Sequence, residues 1–202
     1  VGIRVLSCGL CHSDWHCAIG ANPVEFPLVA GHEGAGIIEK VGSRVTRFKV
    51  GEKVVMSWIP SCGHCKWCVT GQGQLCERGA TVMLGPRDDG SFRMKNKKGD
   101  TVYQFAHLGA FSEYVVIPED GCIPVPQDVD LKAVPLLGCR IPTGWGAVVD
   151  AAKAKQGCTA LVIGLGGIGF SAIQGLVSVN AEIIIAADIA GNKKQWALDW
   201  GA

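Results

Sequence analysis

The pattern of hydrophobic and polar positions changes once along the chain, near residues 145–155. Before that point, short apolar stretches end at glycines, and apolar residues alternate with small or polar ones from Val1 to Val5. Strict alternation is typical of a half-buried strand. This part is therefore predicted to be β structure with glycine turns, in a small barrel or sandwich. From Thr159 the pattern becomes strand, helix, strand, helix, which predicts a parallel sheet.

Individual elements follow from the same pattern. Short apolar runs bounded by turn residues predict strands at 36–41, 52–56, 113–117, 159–163 and 183–187. The intervening segments are predicted as a cysteine-rich lobe at 61–78 and an exposed excursion at 79–112, which is rich in Gly, Asp and Lys. No internal repeat or low-complexity tract interrupts this organisation.

Composition narrows the class of protein. The 202 residues are 48% hydrophobic and carry a formal net charge of +1, so no strong charge points to nucleic acid or an anionic membrane. The uncharged stretch 156–181 is long enough to span a bilayer. Its six glycines, however, favour a strand, a turn and a helix buried in one sheet.

The ten cysteines do not indicate a disulfide scaffold. No charged-plus-apolar signal segment starts the chain, so a cytoplasmic location is expected, and clustered Cys and His are interpreted as metal ligands or catalytic groups. Within the lobe, the spacing C-x2-C-x2-C-x7-C predicts one tetrahedral structural zinc ion held by Cys62, Cys65, Cys68 and Cys76. An iron–sulfur cluster, free buried thiols, and His64 as a competing ligand remain alternatives.

A dinucleotide site is predicted where the first parallel strand ends. The strand from Thr159 runs into G-x-G-x-x-G, with Gly164 for the tight turn, Gly166 for approach of the pyrophosphate and Gly169 for close packing of helix on strand. The pattern also includes Gly167. Asp188 follows the second strand, 19 residues after Gly169, which is the spacing of an acid that binds the adenosine ribose. The acid favours NAD over NADP, although Lys193 or Lys194 could reach a phosphate.

Three further groups of metal-binding residue types lie far apart in the sequence. Cys11-His-Ser-Asp-Trp-His16, the pair His32-Glu33, and Cys139 could together supply a Cys2His zinc site with an open fourth position. Spacing alone does not connect them.

The motifs taken together resemble the zinc-containing alcohol dehydrogenases of the medium-chain dehydrogenase/reductase superfamily. The resemblance rests on Cys-x-Ser-Asp-x-His at 11–16, Gly-His-Glu-x-x-Gly at 31–36, the four-Cys lobe, Gly-Cys-x-x-x-Thr-Gly at 138–144 and the Rossmann fingerprint, in the family's order. It implies an α/β plus β fold: a GroES-like catalytic domain at 1–150, then the first part of a doubly wound Rossmann domain at 151–202. The similarity covers the whole chain, and the chain is interpreted as a fragment.

The resemblance also implies roles for individual residues. Cys11, His32 and Cys139 would hold a catalytic zinc, giving two Zn²⁺ per chain, and NAD would accept hydride from a small-molecule alcohol. Ser13 and His16 match a proton relay, and Asp14 matches a carboxylate that orients the ligand His32. Glu33 lies beside the zinc. His12 stands where many relatives carry an Arg that contacts the cofactor pyrophosphate. For the complete protein, a dimer or tetramer without nucleic-acid or membrane partners is implied.

Several alternatives remain open at this point. Residues 57–68 with 79–81 look closest to the nicotinoprotein branch, whose NAD stays bound, while NAD-exchanging enzymes, including the formaldehyde/thiol-adduct class, are not separated from it. A non-catalytic zinc-binding interaction module is the alternative from another class. A zinc-free quinone reductase on the same fold is disfavoured by both ligand sets. Arg140 replaces a usual Gly and could bind an anionic substrate, bind a cofactor phosphate or point away.

Overall fold

The computed structural model describes residues 1–59 and 61–202; Pro60, which belongs to the segment 57–68 compared above, lies outside the described residues. The chain divides into two compact units, Val1–Gly138 and Cys139–Ala202. This division precedes the boundary expected near residue 150. The reason is that helix α3 (Arg140–Gly146) packs against helix α4 (Gly167–Ser178) and so belongs with the second unit.

The first unit is built on a five-stranded antiparallel sheet. Strand β1 (Gly2–Gly9) pairs with β3 (Glu33–Lys40), so that Gly9 lies opposite Glu33. The spatial order is β7-β1-β3-β4-β8, and a second, three-stranded sheet has the order β2-β6-β5. The remaining strands are β2 (Leu28–Val29), β4 (Lys53–Met56), β5 (Met94–Lys95), β6 (Thr101–Gln104), β7 (Tyr114–Val116) and β8 (Cys122–Val125). The strands predicted at 36–41, 52–56 and 113–117 are confirmed within a few residues.

Helix α1 (His12–Ala18) interrupts the region that the pattern predicts as β. Its N-cap is Cys11, whose backbone N–H donates to Asp14 Oδ2 at 3.1 Å. Because an acidic side chain in the first turn satisfies an N-terminal amide, this local bond stabilises the helix start. A second short helix, α2 (Lys66–Val69), lies in the cysteine lobe.

The expectation that residues 79–112 form an exposed excursion is wrong for the seven residues 104–110. Residues 104–110 are buried, and Phe105, Leu108 and Ala110 join the hydrophobic clusters of the first unit. Gln104 Nε2 donates to the Leu108 carbonyl at 2.8 Å, which satisfies a backbone acceptor inside the fold. This short turn enters the core because its apolar side chains pack there, and the hydrophilic residues before it conceal this in the sequence.

The second unit contains the predicted strand–helix–strand. Strand β9 (Thr159–Ile163) is parallel to β10 (Ile183–Ala187), with Thr159 opposite Ile183, and α4 connects them. This confirms both strands and the assignment of 156–181 to a strand, a turn and a helix. The expected burial is wrong for β9, in which Leu161 and Ile163 are exposed. Helix α5 (Lys194–Asp199) follows. Among the described residues, no helix is long and apolar enough to cross a membrane.

Candidate metal centres and dinucleotide site

The four cysteines of the lobe converge on one point. The Sγ atoms of Cys62, Cys65, Cys68 and Cys76 all lie within 4.8 Å of one another, and Cys62 and Cys68 are separated by 3.9 Å. A tetrahedral zinc ion with bonds of about 2.3 Å requires sulfur–sulfur edges of about 3.8 Å. The donor set and its spacing therefore fit a closed zinc site.

Backbone amides donate hydrogen bonds to these sulfur atoms. The Cys65 amide donates to Cys62 Sγ and the Cys62 amide to Cys76 Sγ, each at 3.3 Å. The amides of Glu77 and Cys68 lower the pKa of Cys65 to about 6, while burial raises the pKa of Cys68 to about 11. Amide donors favour thiolates, and a bound cation offsets the burial cost of the remaining thiol. Four protein ligands would fill the coordination shell of such an ion, which fits a structural rather than a catalytic site.

A second group of donor atoms forms in the same unit. Ligand atoms of Cys11, His32 and Glu33 lie within 4.8 Å of one another. Cys11 comes from the N-cap of α1, while His32 and Glu33 come from the turn that begins β3. His32 is 4% exposed and Glu33 is fully buried. The pairing of β1 with β3 explains the burial of Glu33, because its carboxylate packs against the Cα of Gly9, where any side chain would collide with it.

Asp14 connects the two segments that carry this second group. Its Oδ1 accepts from the Gly31 amide at 2.9 Å and lies 3.2 Å from His32 Nδ1, while its Oδ2 accepts from the Cys11 amide. Burial raises the pKa of Asp14, but His32 and the two amides outweigh it, so that the pKa lies below the ordinary value. With Nδ1 directed at Asp14, the Nε2 of His32 is the nitrogen available to a metal.

The predicted proton-relay residues lie on α1. Ser13 is half-buried, with its Oγ 3.7 Å from Cys11 Sγ. The ring of His16 is half-buried and its centroid lies 4.5 Å from that of the exposed His12. Ser13 is thus adjacent to a candidate ligand, and His16 is one helical turn away from His12 on the same face.

Cys139 is the first residue of the second unit. Its Sγ lies 3.9 Å from Thr143 Oγ1, and that hydroxyl donates to the Cys139 carbonyl at 2.7 Å. The residue before it, Gly138, is the last residue of the first unit and packs against the end of β4. A Cβ on Gly138 would lie 2.8 Å from the Met56 carbonyl oxygen. Glycine is therefore needed immediately before Cys139 for steric reasons.

The glycines after β9 differ in their surroundings. Gly164 has φ +90°, a conformation that favours glycine. A Cβ on Gly169 would overlap the Gly164 carbonyl oxygen, whereas a Cβ on Gly166 would have no atom within 4 Å. Gly169 thus serves helix–strand packing, and no contact inside the described protein explains Gly166. A glycine facing open space beside a helix N-terminus fits a dinucleotide pyrophosphate.

Asp188 lies at the end of β10, where the sequence predicts an acid for the ribose. Its Oδ2 accepts from the Leu165 amide at 2.6 Å and from Lys193 Nζ at 3.0 Å, and its Oδ1 accepts from the Ala190 amide at 2.8 Å. The amides of Ala190 and Leu165, with Lys193, lower the pKa of Asp188 to about 2. The carboxylate is therefore ionised at neutral pH and is fixed against the glycine turn.

Comparison with known proteins places these geometries in a family. Residues 1–127 match the model of the alcohol dehydrogenase GroES-like domain. The chain belongs to this alcohol dehydrogenase family. It is similar to an NDMA-dependent alcohol dehydrogenase of Amycolatopsis methanolica, with 43% identity over 201 residues, which are 99% of this chain and 54% of that protein. It is also similar to alcohol dehydrogenase B of Mycobacterium tuberculosis, with 39% identity over 204 residues, covering 100% and 54%.

A solved structure agrees with the assignment. An alcohol dehydrogenase zinc-binding domain protein from Burkholderia ambifaria superimposes with a TM-score of 0.94 at 34% identity, over 100% of this chain and 55% of that one. The chain therefore spans about half the length of the alcohol dehydrogenases that it matches. The expected GroES-like catalytic domain and the family membership are confirmed.

The other cysteines and histidines of this alcohol dehydrogenase family member lie outside both groups of donor atoms. Cys17 and Cys122 are buried among apolar residues and serve packing. His64 is exposed, with Nδ1 2.8 Å from the Cys62 carbonyl oxygen. His107, for which the sequence suggests no role, is buried beside the Arg78 carbonyl oxygen at 3.1 Å, and burial lowers its pKa. His107 therefore connects the buried turn at 104–110 with the segment that contains Arg78.

Proposed function

We propose that the protein is a zinc-dependent alcohol dehydrogenase that transfers hydride between a small alcohol or its aldehyde and NAD. The observation that carries this proposal is the buried group of Cys11, His32 and Glu33, fixed by Asp14, within a GroES-like domain of this family. A purely structural metal site needs neither an adjacent hydroxyl nor a histidine on the same helix, and here Ser13 and His16 supply both.

Two zinc ions per chain are part of the proposal. Cys62, Cys65, Cys68 and Cys76 would hold the structural ion, and Cys11, His32 and Cys139 the catalytic one. The two thiolates and one imidazole leave a fourth position open. The assignment of Cys139 as the third ligand comes from the family resemblance of the motif at 138–144. Zinc bound there would act as a Lewis acid that lowers the pKa of an alcohol hydroxyl.

The chain's own residues prepare this position. Asp14 accepts the hydrogen bond of His32 Nδ1 and so holds the imidazole in the tautomer whose Nε2 is a ligand. The ring of Phe105 packs edge-on against His32, with centroids 5.4 Å apart, and excludes water from that side. Ser13 would accept the alcohol proton and His16 would pass it to solvent, since an imidazole exchanges protons near neutral pH. Glu33 would lie beside the ion.

The second unit would bind the cofactor. Gly164, Gly166, Gly167 and Gly169 would receive the pyrophosphate, and Asp188 with Lys193 would lie at the adenosine ribose. NAD, when bound, accepts the hydride. NAD is favoured over NADP because the ionised Asp188 would repel a 2′-phosphate. His12 is proposed to contact the cofactor, and its exposure supports this. The similarity to an NDMA-dependent enzyme favours the nicotinoprotein branch.

The cellular location and the oligomeric state complete the proposal. None of the ten cysteines forms a disulfide, which supports a reducing compartment such as the cytoplasm. Homo-oligomerisation stays a prediction from the resemblance.

The test compares Cys11→Ala with Cys158→Ala, a cysteine outside both groups of donor atoms. Zinc content by mass spectrometry and alcohol oxidation, followed as NADH at 340 nm or with an external acceptor, are measured for both variants. We expect Cys11→Ala to retain its fold, lose one zinc ion and lose activity, while Cys158→Ala keeps both ions and activity. Unchanged activity in Cys11→Ala would instead favour a non-catalytic zinc-binding module.

A further inference from the structure

Phe105 is the aromatic side chain that packs on the candidate ligand His32. The two rings stand at 90° to each other with their centroids 5.4 Å apart, and Phe105 is only 5% exposed. Phe105 also belongs to a hydrophobic cluster with Cys17 of helix α1, the helix that begins after the candidate ligand Cys11. The surroundings of the His32 ring therefore depend on where the turn at 104–110 places Phe105.

The backbone next to Phe105 has a conformation that needs support from its surroundings. Ala106 and His107 have φ values of +56° and +59°, in the left-handed region that residues with a Cβ rarely adopt. Consecutive residues of this kind persist only where the surrounding structure determines their conformation. The contacts that hold this turn therefore also determine the position of Phe105.

Segment 78–86 supplies backbone contacts of this kind. The Ala106 amide donates to the Val82 carbonyl at 2.6 Å, and the Gln104 amide donates to the Leu84 carbonyl at 3.0 Å. These two hydrogen bonds hold the start of the turn on both sides of Phe105. The residue after Ala106 is not held by them.

His107 adds a side-chain connection to the same segment. It is 6% exposed, and its Nε2 lies 3.1 Å from the Arg78 carbonyl oxygen and 3.3 Å from Thr81 Oγ1. Because a carbonyl oxygen only accepts, Nε2 is the donor to Arg78. An apolar side chain would fill this space without the cost of burying a polar ring. The imidazole therefore contributes a directed hydrogen bond rather than packing alone.

We propose that His107 is a positioning residue for the candidate catalytic centre around Cys11 and His32 (the Cys11–His32 centre). Its hydrogen bond to segment 78–86 holds the turn so that Phe105 packs edge-on against His32. This inference rests on the proposed function. It adds to that function a histidine that lies outside both groups of donor atoms and acts through Phe105.

The experiment is a double-mutant cycle between His107 and Phe105. Zinc affinity is measured by competition with a chromophoric chelator in the wild-type protein, His107→Leu, Phe105→Leu and the double variant. Cys11→Ala identifies the zinc-binding step that belongs to the Cys11–His32 centre. Circular dichroism monitors the fold of every variant.

His107→Gln is the matched control. Leucine and glutamine share the cost of a left-handed backbone at this position, whereas glutamine keeps an N–H donor for the Arg78 carbonyl. The difference between the two variants therefore reports the hydrogen bond.

We expect His107→Leu and Phe105→Leu each to weaken zinc binding at the Cys11–His32 centre by about 3- to 10-fold, less than the loss of a residue that bonds directly to a ligand histidine. The double variant should bind no more weakly than the weaker single variant, because both changes remove the same contact. His107→Gln should stay within about twofold of the wild type, since its hydrogen bond is kept. Additive losses in the double variant, unchanged affinity in His107→Leu, or equal affinities of His107→Leu and His107→Gln would overturn the inference.

A second measurement separates this inference from the proposed function. In the metal-free protein, the NMR resonances of the His32 ring protons report the ring current of Phe105. His107→Leu should shift them towards their positions in Phe105→Leu, whereas His107→Gln should leave them in place. Wild-type resonance positions in His107→Leu would contradict the positioning role. A wild-type protein that binds no zinc at the Cys11–His32 centre would contradict the proposed function, and the NMR shifts would still decide whether His107 positions Phe105.

Discussion

Asp14→Ala tests how the candidate catalytic centre is held together. In the structure this one carboxylate is within hydrogen-bond distance of the Cys11 amide, the Gly31 amide and His32 Nδ1, at 3.1, 2.9 and 3.2 Å. Because Asp14 is only 4% exposed, water cannot easily replace it. Its removal would leave a buried amide and a buried imidazole nitrogen without their acceptor.

The expected magnitude follows from these contacts. A hydrogen bond to a charged group contributes about 1.5–3 kcal/mol, and breaking one partner of a buried charged network costs about 3–5 kcal/mol. We therefore expect the free energy of unfolding of the metal-free protein to fall by about 3–5 kcal/mol. Zinc affinity at the Cys11–His32 centre should fall about 10- to 100-fold, as for other residues that orient a ligand histidine.

The measurements are urea unfolding in the presence of chelator, followed by tryptophan fluorescence, and zinc competition with a chromophoric chelator. Asp130→Ala is the matched control, because its side chain is exposed and bonds only to Lys132 among the described residues. It should change stability by less than about 0.5 kcal/mol. If Asp14→Ala matched Asp130→Ala in stability and kept wild-type zinc affinity, Asp14 would not connect the two ligand segments as described.

Three further predictions concern the cysteine lobe and the second unit. Cys76→Ser should remove one zinc ion per chain and make residues 61–78 sensitive to protease, whereas Cys158→Ser should do neither. Metal content and limited proteolysis are measured, and a wild-type cleavage pattern in Cys76→Ser would refute the prediction. Gly169→Ala should lower the free energy of unfolding by about 1–3 kcal/mol, because its Cβ would overlap the Gly164 carbonyl oxygen. Gly166→Ala should keep wild-type stability and lose NAD affinity. Equal stability of the two variants in urea would contradict the assigned roles. For Asp188, whose pKa falls from 3.8 to about 2 on folding, the stabilisation over Asp188→Asn should be complete above about pH 4 and should fade as the pH falls towards 2; a difference in unfolding free energy that grows towards low pH would refute this.

Local spacing was sufficient for the features whose residues are close in sequence. The four-Cys lobe needs only a chain short enough to fold around one ion, and its sulfurs converge as the spacing predicts. The strand–turn–helix of the second unit follows equally from local pattern, since a strand that ends at glycines before an apolar helix has few other arrangements. For the same reason β9 and β10 agree with their predicted bounds, and the predicted helix α4 lies between them.

Tertiary structure decided what depends on pairing between distant segments. The register of β1 against β3 buries Glu33, and the hydrogen bonds of Asp14 connect Cys11 with His32. Neither arrangement can be predicted from the periodicity of the sequence. The burial of residues 104–110 and the division after Gly138 likewise depend on which surfaces meet. Arg140 is the clearest case: the sequence leaves its direction open, and only the packing of α3 on α4 places its side chain over Gly167, because a side chain's direction is set by the backbone that carries it.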